Sequence, residues 1–201
     1  SNHSNLNSTI ITLELIETPI EFYNLMGQVD NPKFQLYSDS FAKSIDVDNF
    51  YIFLYSFYFL LLFEIGFRYN PFFNKLPFFF YLLVLFCILF DLTENYKIAT
   101  LLDAKSNEQV AESILNLRII SLCKWFFLFL ISGFIGFLFW LANENILLKI
   151  TGLFLFTAFI SSLPGLFRFS LLEIASYILF FGLFLSWIFI IQKNYYLLFL
   201  K

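Results

Sequence analysis

Five apolar runs constrain this chain more than any other feature, because each is about as long as a helix must be to cross hydrocarbon. A helix rises about 1.5 Å per residue, so about 20 apolar residues span a core about 30 Å thick. By that ruler the predicted spans are Asn49–Phe67, Leu76–Tyr96, Arg118–Leu141, Ile146–Leu163 and Ser170–Gln192. The fold class they predict is all-α, a polytopic membrane helix bundle of five transmembrane helices. The fourth run carries Lys149 near its start and ends in "SSLPG", so a shorter or tilted helix is expected there.

Composition enters because it removes the soluble alternative. The chain is 60% hydrophobic and only 13% charged, against about 25% charged residues in a soluble domain. Its 32 Phe residues are too many for a water-exposed surface but suit acyl chains. The bias toward Phe, Leu, Ile, Asn and Tyr also fits A/T-rich coding, so no single Phe is given functional weight.

Organisation follows from the connections. "RYNPFFNKLP", "ANEN" and "PGLFRF" are short, which makes sequential helices antiparallel neighbours in a compact bundle. The longest connection is Lys97–Leu117. Its helix formers predict that both flanking helices extend past the membrane, with Ser106 as an N-cap. Residues 1–47 read as an interfacial segment and 48–201 as the transmembrane bundle. In the first, Thr18 caps, Pro19 opens and Gly27 stops one short helix. Asn31 and Pro32 start another, with Phe34, Tyr37, Phe41 and Ile45 at helical spacing. Two short amphipathic helices on one membrane face are therefore predicted. The opening residues have no basic stretch followed by an apolar one, so no cleavable secretory signal is expected.

Charge does little to orient the spans. Six basic residues fall on the side of the N-terminal segment and five on the other. The first loop and the C-terminal tail are basic without nearby acids, which tips their side toward the cytoplasm.

Several chemistries are excluded. The sole His is His3, in a polar tail, so the spans lack the usual general base and commonest metal ligand. Cys87 and Cys123 sit in apolar runs and read as free buried thiols. No C-x-x-C, Gly-rich phosphate loop, nucleophile elbow or basic nucleic-acid patch occurs. No cofactor, no metal site and no nucleic acid partner is expected. No internal repeat is visible, which argues against an inverted-repeat transporter. Glu64 and Arg68 are spaced to pair at a helix end. Trp187, Tyr195 and Tyr196 read as interfacial anchors.

The remaining polar residues cluster. Asp91, Glu94 and Asn95 stand three and four apart, on one face at the end of the second span. The third span starts on the same side with Arg118, Ser121, Lys124 and Trp125. The first starts there with Asp48 and Asn49, followed by Tyr55, and the fifth opens with Arg168 and Glu173 nearby. A charge deep in a bilayer costs at least about 2.5–3.5 kcal/mol, so these groups must face inward, pair or reach water. Asp91 and Glu94 are expected to pair with Lys124 and Arg118. The candidate site residues are Asp48, Tyr55, Asp91, Glu94, Asn95, Arg118, Lys124 and Trp125.

The D-x-x-E-N of Asp91, Glu94 and Asn95, with Lys124–Trp125, Gly27, Tyr37 and Asp48, resembles small multi-pass bacterial membrane proteins of uncharacterised function. That resemblance implies a bacterial inner-membrane protein and no particular activity. A looser likeness is to the sterol-isomerase-like four-helix membrane family, which uses intramembrane acids beside aromatics.

Several functions fit this pattern. One is a polar pocket near one membrane face that binds a small or lipid-like ligand or docks a partner. Another is an accessory subunit packed on other membrane subunits. A third is an isomerase- or hydrolase-like membrane enzyme using Asp91 or Glu94 as acid or base. An ion or proton carrier is a fourth, and a plain lock between the second and third helices needs no ligand. The expected partners are membrane lipids and other membrane subunits.

Overall fold

The computed structural model describes residues 9–28, 31–104, 106–142 and 145–199, leaving aside the side chains of 71, 74 and 194–199. His3 therefore lies outside the described residues, as do the side chains of Tyr195 and Tyr196. Among the described residues there are seven α-helices and no strand. They are α1 (Thr9–Glu14), α2 (Pro19–Met26), α3 (Pro32–Tyr69), α4 (Pro77–Leu102), α5 (Asn107–Leu141), α6 (Ile146–Gly165) and α7 (Phe169–Phe199), with a 3-10 turn at Pro71–Lys75. Helices α3 to α7 are long and apolar enough to cross a membrane. The chain is a multi-pass integral membrane protein of all-α bundle class.

Local chemistry sets the ends. Thr18 Oγ1 accepts from the Glu21 amide (3.3 Å) at the start of α2, the usual N-cap arrangement. Gly27 closes that helix at φ +93°, where any other residue is strained, and its amide reaches Tyr23 O (2.8 Å). Ser106 Oγ accepts from the Gln109 amide (3.3 Å) ahead of α5. Asn145 Oδ1 accepts from the amides of Leu147 (2.9 Å) and Leu148 (3.2 Å), capping α6.

One expectation is corrected. The helix that opens at Asn31 and Pro32 does not end near Ile45, because no Gly or Pro interrupts the chain before Gly66. It runs on as the 38-residue α3, and residues 47 and 48 lie in its interior. The two short N-terminal helices are α1 and α2 instead. The fourth span, α6, has 20 residues with Pro164 in its last turn and is the shortest of the five candidate spans among the described residues, as expected.

At about 1.5 Å per residue, α3 is about 57 Å long and outreaches a hydrocarbon core of about 30 Å. The 35 residues of α5 exceed it too.

The chain forms two compact units: residues 1–57 with 85–125, and 58–84 with 126–201. In the first, Leu13 of α1, Ile16 of the connection and Phe22 and Met26 of α2 pack in one apolar cluster with Phe34 and Phe41 of α3, Leu101 of α4 and Ile114 of α5. Burying each such side chain stabilises by about 1.5–3 kcal/mol relative to leaving it in water.

In the second unit the helices approach through glycine. A Cβ at Gly136 would lie 2.7 Å from Gly152 O, and one at Gly152 would lie 2.7 Å from Gly136 O. Small residues let membrane helices close in this way. In the same unit the Phe63 and Phe80 rings lie tilted with centroids 4.5 Å apart, and Phe80 and Phe134 meet edge to face at 5.4 Å. Tyr58 OH meets Ser186 Oγ (2.6 Å), and Asn70 Nδ2 donates to Gly66 O (3.0 Å) and Leu138 O (2.8 Å).

Candidate functional site

The polar centre of the first unit is built around Lys124 of α5, which is 7% exposed. Its ammonium donates to Glu14 Oε1 (3.0 Å) and to Glu94 Oε2, and Asp91 Oδ1 lies 3.8 Å away. Three buried carboxylates thus surround one cation. Lys124 Nζ also stands 4.8 Å from the Trp125 ring, a favourable cation–π distance.

The neighbours complete the shell. Trp125 Nε1 donates to Glu14 Oε2 (2.9 Å), so the two oxygens of one carboxylate are held by consecutive residues of α5. Tyr55 of α3 donates its hydroxyl to Asp91 Oδ2, and that oxygen of Tyr55 lies 3.9 Å from Cys87 Sγ. One turn along α4, Asn95 Nδ2 donates to Asp48 Oδ2 (2.8 Å) and Asn49 Oδ1 (3.0 Å). At the rim Arg118 pairs with Glu17 (2.8 Å), each about one-third exposed.

Two polar atoms in this region stay unpaired within the protein. Glu94 Oε1 and Ser121 Oγ are buried and have no hydrogen-bond partner. Ser121 lies on the α5 face that presents Lys124 and Trp125, three and four residues on.

The sequence explains the level of the site. Charge-free stretches occupy 49–63 of α3, 76–90 of α4 and 125–141 of α5. Asp48, Asp91 and Lys124 are the residues that border them. The ions therefore sit where each helix leaves its lipid-compatible stretch, which limits the cost of a charge in hydrocarbon.

All eight candidate residues fall in this unit, but not all in the expected pairs. Asp91 and Glu94 face Lys124. Arg118 does not join them: it is taken by Glu17. Asp48 and Asn95 form their own hydrogen-bonded group. Arg168 and Glu173 belong to the second unit, where Tyr177 donates to Glu173 (3.3 Å). Glu64 accepts from Tyr81 (2.9 Å) where spacing predicts a pair with Arg68. Cys87 and Cys123 are free thiols.

Glu14 and Glu17 are the residues that sequence reasoning missed. Their signal is modest: two acids three apart in the apolar "IITLELIE". An acid that must enter a buried site reads no differently from one at a helix end. Only the tertiary contact to Lys124, 110 residues away, separates them.

Fold and site together define a multi-pass membrane protein with a buried ionic centre. Searches against protein-family models, curated proteins and solved structures found no match.

Proposed function

We propose that this membrane protein binds a small acidic molecule at Lys124, Trp125 and Arg118, and that Glu14 and Glu17 occupy those donors when the ligand is absent. The supporting observation is the seating of Glu14, with one carboxylate oxygen on the Lys124 ammonium and the other on the Trp125 indole (3.0 and 2.9 Å). Charge-assisted bonds of this kind are about twice as strong as neutral ones. A ligand carboxylate or phosphate entering there replaces Glu14 with like chemistry.

The unpaired Glu94 Oε1 and Ser121 Oγ narrow the ligand class. Each buried unsatisfied group costs about 1–3 kcal/mol, so a ligand bearing a hydroxyl or amine beside its acidic group gains by meeting them. A second reading has one observation in its favour. The donors already hold a peptide, with Glu14 and Glu17 three apart, and an acidic segment of a partner subunit presents the same pattern.

Chemical rescue tests the acceptor role. Glu14→Ala leaves Lys124 and Trp125 without their carboxylate. Acetate, compared with chloride at equal ionic strength, is expected to raise the melting temperature of that variant, by about 2–4 °C for each kcal/mol recovered. Wild type and the Glu14→Ala/Lys124→Met double variant should not respond. Equal acetate shifts in all three proteins would rule out a carboxylate acceptor.

A further inference from the structure

The second unit holds an open groove of about 360 Å³ between α5 and α6, lined by Phe137, Trp140, Gly152, Leu153 and Phe156. Its volume is within the range of ligand sites, about 300–1,000 Å³. At Gly152, one of the lining residues, the α5 backbone comes so close that a Cβ would lie 2.7 Å from Gly136 O. The walls are aromatic and aliphatic, and the helices that build it are two of the membrane spans.

One end of this groove differs from the rest. A Cβ at Gly152 would meet Trp140 N at 2.8 Å, and one at Gly136 would meet Phe156 N at 2.6 Å, so α5 and α6 run antiparallel in this register. Continuing it by one turn of α6 brings Lys149 level with the end of α5, beyond Trp140. Residues 149, 153 and 156 are spaced i, i+4 and i+7, so Lys149 shares the groove's face of α6. It is half-buried, and among the described residues it has no ion-pair partner. A cation thus heads an apolar channel beside a Trp, a residue type enriched where hydrocarbon meets headgroups.

We infer that this groove holds one acyl chain of an anionic glycerophospholipid, with the lipid phosphate on Lys149. The apolar walls fit a chain, and the lysine sits where a headgroup leaves it. A zwitterionic lipid offers the same chain but carries its own cation, which weakens the attraction to Lys149. This inference uses only residues of the second unit and is independent of the acidic-ligand reading.

Native mass spectrometry of the full chain tests it. The protein is released from micelles holding equimolar phosphatidylglycerol and phosphatidylcholine with identical acyl chains. Wild type is expected to retain one phosphatidylglycerol in preference to phosphatidylcholine. Lys149→Gln should reduce that preference on the order of fivefold, the effect of one juxtamembrane lysine. Leu153→Trp, which fills the groove, should lose both lipids, while Lys193→Gln, at an exposed cation of α7, should behave as wild type. Equal retention of the two lipids by wild type would overturn the inference. So would a preference that survives Lys149→Gln, or one that Lys193→Gln reduces as much.

Discussion

In the first unit, α4 and α5 meet through Lys124 and the carboxylates of Asp91 and Glu94, with Glu14 added from the N-terminal segment. In the second, α5 and α6 meet through Gly136 and Gly152, where backbone lies against backbone. The same helix therefore uses two kinds of joint. Up to residue 125 it adds buried ion pairs to its apolar contacts, and beyond 125 it meets α6 by close approach at glycine. Glycine contact involves no ion desolvation and suits pure packing. A buried ion cluster costs several kcal/mol of desolvation per ion and is often no more stable than an apolar replacement. Stability alone does not explain why the first unit buries four charged side chains, Glu14, Asp91, Glu94 and Lys124, around one point, which is the physical ground for proposing a ligand there.

The contrast can be broken by substitution. The largest effect is expected from Lys124→Met, which strands three buried carboxylates. Removing one partner of a buried pair costs about 3–5 kcal/mol, read as lost resistance to denaturant in detergent. Tyr55→Phe removes the hydroxyl that donates to Asp91 and should cost about 1.5–3 kcal/mol, as for hydrogen bonds to charged groups. In the second unit Gly152→Ala sets a methyl against backbone atoms 2.7 and 2.8 Å away. Overpacking of that kind costs about 1–3 kcal/mol, and unlike the ionic variants it should not respond to salt. Glu17→Gln is the smallest. The Arg118–Glu17 pair is partly exposed, so its loss should cost at most about 1 kcal/mol and less at high ionic strength. If Gly152→Ala outweighed Lys124→Met, the assignment of charge to one unit and packing to the other would be reversed.

Much of this was readable before any coordinates. The apolar runs identify five helices because hydrocarbon leaves a long apolar segment no other economical backbone pairing. Thr18, Pro19 and Gly27 mark α2 by local capping chemistry, and Ser106 marks the start of α5. The i, i+3, i+4 spacing of Asp91, Glu94 and Asn95 puts them on one face of α4. The length of α3 is not legible from the boundary at 47/48, because no Gly or Pro breaks the backbone pairing there and the helix runs on to Tyr69. Glu14, Glu17 and the diversion of Arg118 are tertiary facts that periodicity does not carry. Gly136 facing Gly152 depends on the register of two helices, which neither helix specifies alone.

In the buried centre Lys124 and the N-terminal carboxylate Glu14 interact directly. A double-mutant cycle of Glu14→Gln and Lys124→Met, followed by denaturant unfolding in detergent, measures that interaction. A coupling of about 1–3 kcal/mol is expected, the range for residues in one ionic network. Additivity within about 0.3–0.5 kcal/mol, as for separated sites, would contradict it.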